Sequence, residues 1–157
     1  MLLAGLPHNV AGFRAVSHNQ QLVAGAIELD PDSLTLEELR TYAWQRMEPI
    51  YLERLAALTD RYRLNRSRGL GGEDPQAVAE AAARGRVGTL LIDAERIVPG
   101  RFDAATGRVE RRALSDPDTD DLLDELAETV VRMNGEAIVV PTQRMPSETG
   151  LAAIYRF

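Results

Sequence analysis

Arg61, Arg63, Arg66 and Arg68 stand within one eight-residue stretch, with Tyr62 among them, and form the dense basic cluster of the chain. Guanidinium groups at that density can neutralise RNA phosphates while an aromatic ring or an arginine plane stacks on an unpaired base. The four arginines are therefore the candidate binding residues. The same charges also suit the C-terminal end of a helix, whose dipole favours cations there and anions such as Glu37 and Glu38 at the start. Metal chemistry is not expected, because His8 and His18 are the only histidines and neither lies in a ligand spacing. Ser17, Ser33, Ser67, Ser115 and Ser147 all lie outside a nucleophile elbow. The acidic run from Asp116 to Asp121 fails as a calcium loop. The glycine and bidentate glutamate of an EF-hand would fall on Asp121 and Ala127. It reads instead as the acidic first turn of a helix. Asp93, Glu95 and Glu110 are the carboxylates left for acid–base work, and no spacing sets two of them together.

The missing residue types exclude more chemistry than the present ones suggest. The 157-residue chain has no cysteine, which removes disulfide scaffolds, thiol nucleophiles and cysteine-held metals. All 18 basic residues are arginine. A Walker A phosphate loop or a Schiff-base enzyme needs an amine that guanidinium does not replace, so Gly69, Gly71 and Gly72 read as helix termination and no cofactor is expected. No apolar run approaches the roughly 20 residues that cross a bilayer, and the N-terminus lacks the basic start and cleavage site of a signal peptide. A soluble, cytoplasmic protein with no membrane contact is expected. Residues 1 to 69 carry 8 arginines against 8 acids, while residues 70 to 157 carry 10 against 16. The second part should favour a protein partner over a bulk polyanion, since polyanion binding relies on neutralising phosphates.

The apolar pattern places these residues on elements. Leu2 to Ala4 reads as a strand, and Pro7 to Val16 as a helix with Val10, Phe13 and Val16 on one face. Ser17 to Ser33 is loop-rich. Thr35 with Glu38 is a capping box opening a helix to about Ser67, in which Pro49 predicts a kink or break. Asp74 caps a helix that Pro75 begins and Gly85 stops. Val87 to Ile92 and Ala137 to Val140 are apolar on both faces, which predicts adjacent interior strands. Ile97 to Phe102 and Arg108 to Arg112 form a hairpin closed by a glycine bulge at Gly107. Asp118 or Thr119 caps a further helix ended by Gly135, and Leu151 to Phe157 is the last strand.

The stretch Gly71-Gly72-Glu73-Asp74-Pro75, the helix to Gly85, then Arg86-Val87-Gly88-Thr89-Leu90-Leu91-Ile92 and the closing Leu151-Ala152-Ala153-Ile154-Tyr155-Arg156-Phe157 together resemble one known domain. It is the C-terminal domain of the archaeal and eukaryotic class I peptide chain release factors and Pelota. The bacterial release-factor-like proteins are more similar still, because Leu2-Leu3-Ala4-Gly5 before a short helix resembles the piece that precedes this domain in them. The resemblance implies an α/β fold with a mixed sheet sandwiched by helices, as in the kink-turn-binding ribosomal proteins, preceded by a long kinked helix. Residues 1–69 would be the end of a middle-domain-like region and residues 70–157 a release-factor C-terminal-like domain. Kink-turn-binding proteins hold RNA with Gly-x-Asn-Glu and a following lysine, where this chain has Gly72-Glu73-Asp74-Pro75-Gln76, so kink-turn RNA is not an expected partner. The catalytic Gly-Gly-Gln of release factors belongs to the middle domain, and Gly71-Gly72-Glu73 is a different place with a carboxylate for the amide. No enzyme activity is implied.

What the resemblance implies is a non-catalytic, translation-associated interaction module that binds a protein, such as a translational GTPase, or the ribosome. The alternatives are an RNA-binding module using Arg61 to Arg68, and an enzyme drawing on Asp93, Glu95 and Glu110. Leu2 to Val16 completes the preceding domain in the resembled proteins. Without that domain it is expected to dock elsewhere, a second copy of the chain included, which would give a homodimer through the N-terminal segment.

Overall fold

The computed structural model describes residues 1–113 and 119–157, and the chain falls into two compact units, Met1–Arg54 and Leu55–Phe157. In the first, strand β1 (Leu3–Ala4) leads through helix α1 (Pro7–Val16) to β2 (Ala26–Ile27), which pairs parallel with β1. The strand β2 lies inside the stretch expected to be loop. Arg14 ties the loop down by donating to the carbonyls of Val23 at 2.8 Å and Gly25 at 3.0 Å. Only Val10 of the expected apolar face of α1 is buried, while Phe13 and Val16 are exposed. Two strands of two residues each offer too little surface to cover all three.

Helix α2 (Leu36–Ser67) begins with the expected capping box: Thr35 N donates to Glu38 Oε2 at 2.9 Å, and Glu38 N donates to Thr35 Oγ1 at 3.3 Å. The helix runs unbroken through Pro49. Proline there withholds one backbone donor and crowds the preceding turn, at a cost of about 3 kcal/mol relative to alanine in a helix interior. Against this stands the entropy that proline removes from the unfolded chain, about 0.4–1 kcal/mol. Pro49→Ala is therefore expected to stabilise the protein by about 2 kcal/mol and to raise helicity, read by thermal melting and circular dichroism. A loss of both would show that the proline is needed where it stands.

The end of α2 is set by a left-handed glycine. Gly69 has φ +74°, Leu70 N donates to Asn65 O at 2.8 Å and Gly69 N to Arg66 O at 3.1 Å, which satisfies the last carbonyls. Next comes β3 (Gly71–Gly72), then α3 (Pro75–Ala83), capped by Asp74, whose carboxylate accepts from Ala77 N at 2.9 Å. The strands β4 (Val87–Asp93), β5 (Pro99–Asp103), β6 (Arg108–Arg111) and β7 (Asp120–Asp121) follow, then α4 (Leu122–Arg132), β8 (Glu136–Val140) and β9 (Leu151–Tyr155).

The central sheet has the order β3-β9-β4-β8, with β4 and β8 parallel and the other pairs antiparallel. It is the mixed sheet expected between helices. One face, with Val87, Leu90, Ile92, Leu151 and Ala153, shares a buried cluster with Val78 and Ala82 of α3 and Leu123, Leu126 and Val130 of α4. Alternation puts Leu91, Ala152 and Ile154 on the other face, all buried, toward the second half of α2, where Leu55, Leu58 and Tyr62 are buried.

Three expectations are corrected. β4 and β8 are adjacent, but β8 is an edge strand, and Val139 is 56% exposed. An apolar run of four residues does not distinguish a central strand from an edge that is covered on one side. The cap of α4 is Asp121, whose Oδ1 accepts from Leu123 N at 3.1 Å, in place of Thr119; Asp118 lies outside the described residues. The left-handed residue ending α4 is Asn134 at φ 59°, one position before Gly135.

The expected hairpin is present as β5 and β6, and β7 adds a third strand to it, giving the order β6-β5-β7. Gly107 turns it at φ +77°, with its N–H on Asp103 O at 2.8 Å. Gln76 of α3 holds the hairpin from beneath, donating to Gly107 O at 3.1 Å and accepting from Val109 N at 3.0 Å.

Candidate functional site

The four arginines of the expected patch do not form one surface. At 3.6 residues per turn Arg63 and Arg66 point to one side of α2 and Arg61 to another, and Arg68 lies past the last helical residue. Arg61 is turned toward the sheet and donates to Thr89 Oγ1 at 3.4 Å. Arg63 is 3.5 Å from Asp60 in an exposed i,i+3 pair. Arg66 makes a two-pronged contact with Glu73, Nη1 to Oε2 at 2.9 Å and Nη2 to Oε1 at 2.5 Å. Among the described residues, only Arg68 of the four has neither a hydrogen bond nor an ion pair from its side chain.

Glu73 is the centre of this corner. Besides Arg66 it accepts from Tyr62 Oη at 3.1 Å, and Tyr62 is 1% exposed. Burial, followed by the Glu73 carboxylate it donates to, pushes the Tyr62 phenol up to about 12. The phenol therefore stays protonated across the physiological range and serves as a donor, not as a base. Thr149 completes the knot, its Oγ1 donating to the backbone carbonyl of Glu73 at 2.8 Å.

The two glycines before Glu73 make the approach feasible. A Cβ on Gly71 would sit 2.9 Å from the backbone nitrogen of Arg66, and one on Gly72 would run into the Tyr155 hydroxyl. Gly71 and Gly72 thus let β3 slide between the helix end and β9, which is a packing role, and Glu73 then reaches back to lock the helix. The acid that argued against RNA in the sequence neutralises the arginine that argued for it.

Of the three carboxylates available to an enzyme, Asp93 and Glu110 are engaged within the protein, and Glu95 is exposed. Asp93, 7% exposed at the end of β4, accepts from Thr142 Oγ1 at 2.6 Å and from Glu95 N at 3.0 Å. Burial works to raise its carboxyl, but these hydrogen bonds and the nearby Arg96 outweigh it and hold the group below its ordinary value. Glu110 is shared by Arg112 at 3.3 Å and Arg108 at 3.8 Å. Among the described residues no group of three His, Cys, Asp or Glu side chains is placed to hold a metal ion, and His8 and His18 are both exposed.

Sequence reasoning passed over a second arginine group. Arg96, Arg111 and Arg112 come together on one cleft beside the β5–β6 hairpin, although fourteen residues separate the first two. The available signal was the Arg111-Arg112 pair at the foot of an expected hairpin, hidden by the negative average of this half of the chain.

The model of one family, described as bacterial archaeo-eukaryotic release factor family 3, matches residues 1–86, more than half of the chain. The chain belongs to that family. No curated protein matches it. Among solved structures, this family 3 chain is similar to the C-terminal domain of a peptide chain release factor from Methanosarcina mazei, with TM-score 0.63 and 17% identity. The match covers 82% of this chain and 96% of that one. An archaeal Pelota, from a model of ribosome-bound Pelota and ABCE1, matches 99% of the chain with TM-score 0.55 and 19% identity. Pelota from Archaeoglobus fulgidus also matches 99%, with TM-score 0.50 and 16% identity. This chain spans 43% and 48% of those two Pelota chains. At such identities the likeness is one of fold, and it is the release factor C-terminal fold that the sequence resembled. Among the described residues, no helix of the family 3 chain is long and apolar enough to cross a membrane.

Proposed function

We propose that the chain is a non-catalytic, translation-associated interaction module that binds a protein partner or the ribosome. The observation that carries this is the family match over residues 1–86, joined to a fold that covers 96% of a release factor C-terminal domain. The ribosome-bound archaeal Pelota of the same fold supports the setting. On this reading residues 1–69 are the end of a middle-domain-like region and residues 70–157 the domain that meets the partner. The engagement of Arg61, Arg63 and Arg66 within the protein favours a protein partner over RNA held by α2.

Two measurements test it. Pull-down of purified translational GTPases by the intact chain is expected to yield a saturable complex, and incubation with peptidyl-tRNA on ribosomes is expected to release no peptide beyond the buffer control. Release of peptide by the chain alone would overturn the non-catalytic part. Absence of binding to both GTPases and ribosomes would overturn the rest.

A further inference from the structure

A cleft of ≈ 410 Å³ opens where the hairpin meets the start of α3. Its apolar lining, the floor, is aliphatic and includes Pro75, Val98 and Pro99, each half-buried. Arg96, Arg111 and Arg112 stand around it, and no carboxylate lines it among the described residues. Ile97 lies on its wall and is 62% exposed. A large apolar side chain thus shares the cleft with three guanidinium groups.

Two of the three arginines are held in place from within the protein. The Arg96 guanidinium donates to the carbonyl of Glu148, and its stem fills the space a side chain on Gly150 would take. Gly150 has φ +88°, so the loop before β9 is shaped to receive that stem. Arg112 also reaches Glu110 at 3.3 Å, and its side chain is only 28% exposed. Arg111 has no carboxylate partner among the described residues. From Ile97 to Arg112 the chain carries four arginines and two acids, whereas the rest of residues 70–157 carries six arginines and fourteen acids. The hairpin is a positive island on a negative domain.

We infer that this cleft binds an extended acidic segment of a partner protein, with a large apolar side chain set against Ile97, Val98 and the two prolines and flanking carboxylates on Arg96 and Arg111. This rests on the reading that the chain acts by binding a protein, and it names the chemistry of that partner. Arginine is suited to the task because its planar fork receives a carboxylate through two hydrogen bonds. A single-stranded RNA would fit the charge but not the floor. Recognition of unpaired bases draws on aromatic rings for stacking, and none of the lining residues is aromatic.

The test is fluorescence anisotropy of the intact chain with a labelled synthetic peptide in which leucines alternate with aspartate and glutamate. Arg111→Glu and Ile97→Ser, both at exposed positions, are each expected to weaken binding about tenfold or more, the equivalent of about 1.4 kcal/mol. Arg63→Glu, on α2, is expected to leave it unchanged. A peptide with serine in place of leucine should lose binding to the same degree as Ile97→Ser. Unaltered affinity in both cleft variants, or equal binding of the serine peptide, would overturn the proposal. So would displacement of the peptide by polyuridylate at lower concentration than by unlabelled peptide. Thermal melting of each variant guards against loss of fold. Peptide binding without any GTPase or ribosome association would retain the cleft and remove the translational setting; the reverse result would remove the cleft alone.

Discussion

Replacing Gly107 with alanine is expected to destabilise the protein by about 2–5 kcal/mol and to loosen the arginine hairpin from α3. Two costs add. Gly107 has φ +77°, and an L-residue in that region costs about 1–2 kcal/mol. A Cβ there would stand 2.6 Å from Glu80 Cα and 3.0 Å from Glu80 N, which are backbone atoms of a packed helix and cannot swing aside. Overpacking of that kind adds about 1–3 kcal/mol. In a chain of this size the melting temperature should fall by roughly 4–20 °C. Because Gln76 joins α3 to both Gly107 and Val109, the hairpin should shift as a unit and carry Arg111 with it. Weaker peptide binding should therefore accompany the lower melting temperature. A melting temperature within about one degree of the parent's would mean that the hairpin is not packed on α3 as described.

The second large effect is expected at Glu73. Glu73→Ala removes the acceptor of a buried phenol and the partner of Arg66 in one step. A buried donor left unsatisfied costs about 1–3 kcal/mol, while Arg66, whose side chain is 51% exposed, can be rehydrated at little cost. Tyr62→Phe alone should cost about 1 kcal/mol, and the double variant should cost less than the sum, because the two share one interaction. The pH dependence has a definite sign. The Tyr62 phenol is raised from 10.0 to about 12 in the folded state, so its contribution is complete below pH 10 and is lost as the pH rises toward 12. In Glu73→Ala the phenol should ionise at lower pH than in the parent, and in Tyr62→Phe the loss of stability over that window should shrink. Burial also raises the Tyr155 phenol, so the difference between parent and Tyr62→Phe is the quantity to read.

Local signals were the ones the sequence carried plainly. The capping box at Thr35, the Asp74 cap before Pro75, the turn glycine at 107 and the apolar run of β4 each depend on residues within a few positions of one another, and each is found. Features that depend on distant partners were not legible. Gly71 and Gly72 read as a helix stop because glycine normally weakens a strand, and only Tyr155 and the Arg66 backbone explain why a strand there requires them. The apolar character of Ala137 to Val140 says nothing about which neighbour lies beyond it, so an edge strand passed for an interior one. The surroundings of the four arginines were not legible for a related reason. Spacing along a helix gives the face of each side chain, but whether its charge is already met depends on Glu73, which is brought back by a turn. The cleft at Arg96, Arg111 and Arg112 needed the β5–β6 register to be seen at all.

Membership of a release-factor-related family and the release factor C-terminal fold together make association with the translation machinery the central claim. The most direct measurement is sedimentation of the purified chain with ribosomes through a sucrose cushion at physiological salt, with and without a translational GTPase. The account predicts saturable recovery of the chain in the ribosomal pellet, strengthened by the GTPase and reduced by Arg111→Glu. Recovery that stays at the level of an unrelated protein of equal charge, for empty and translating ribosomes alike and with the GTPase present, would contradict it.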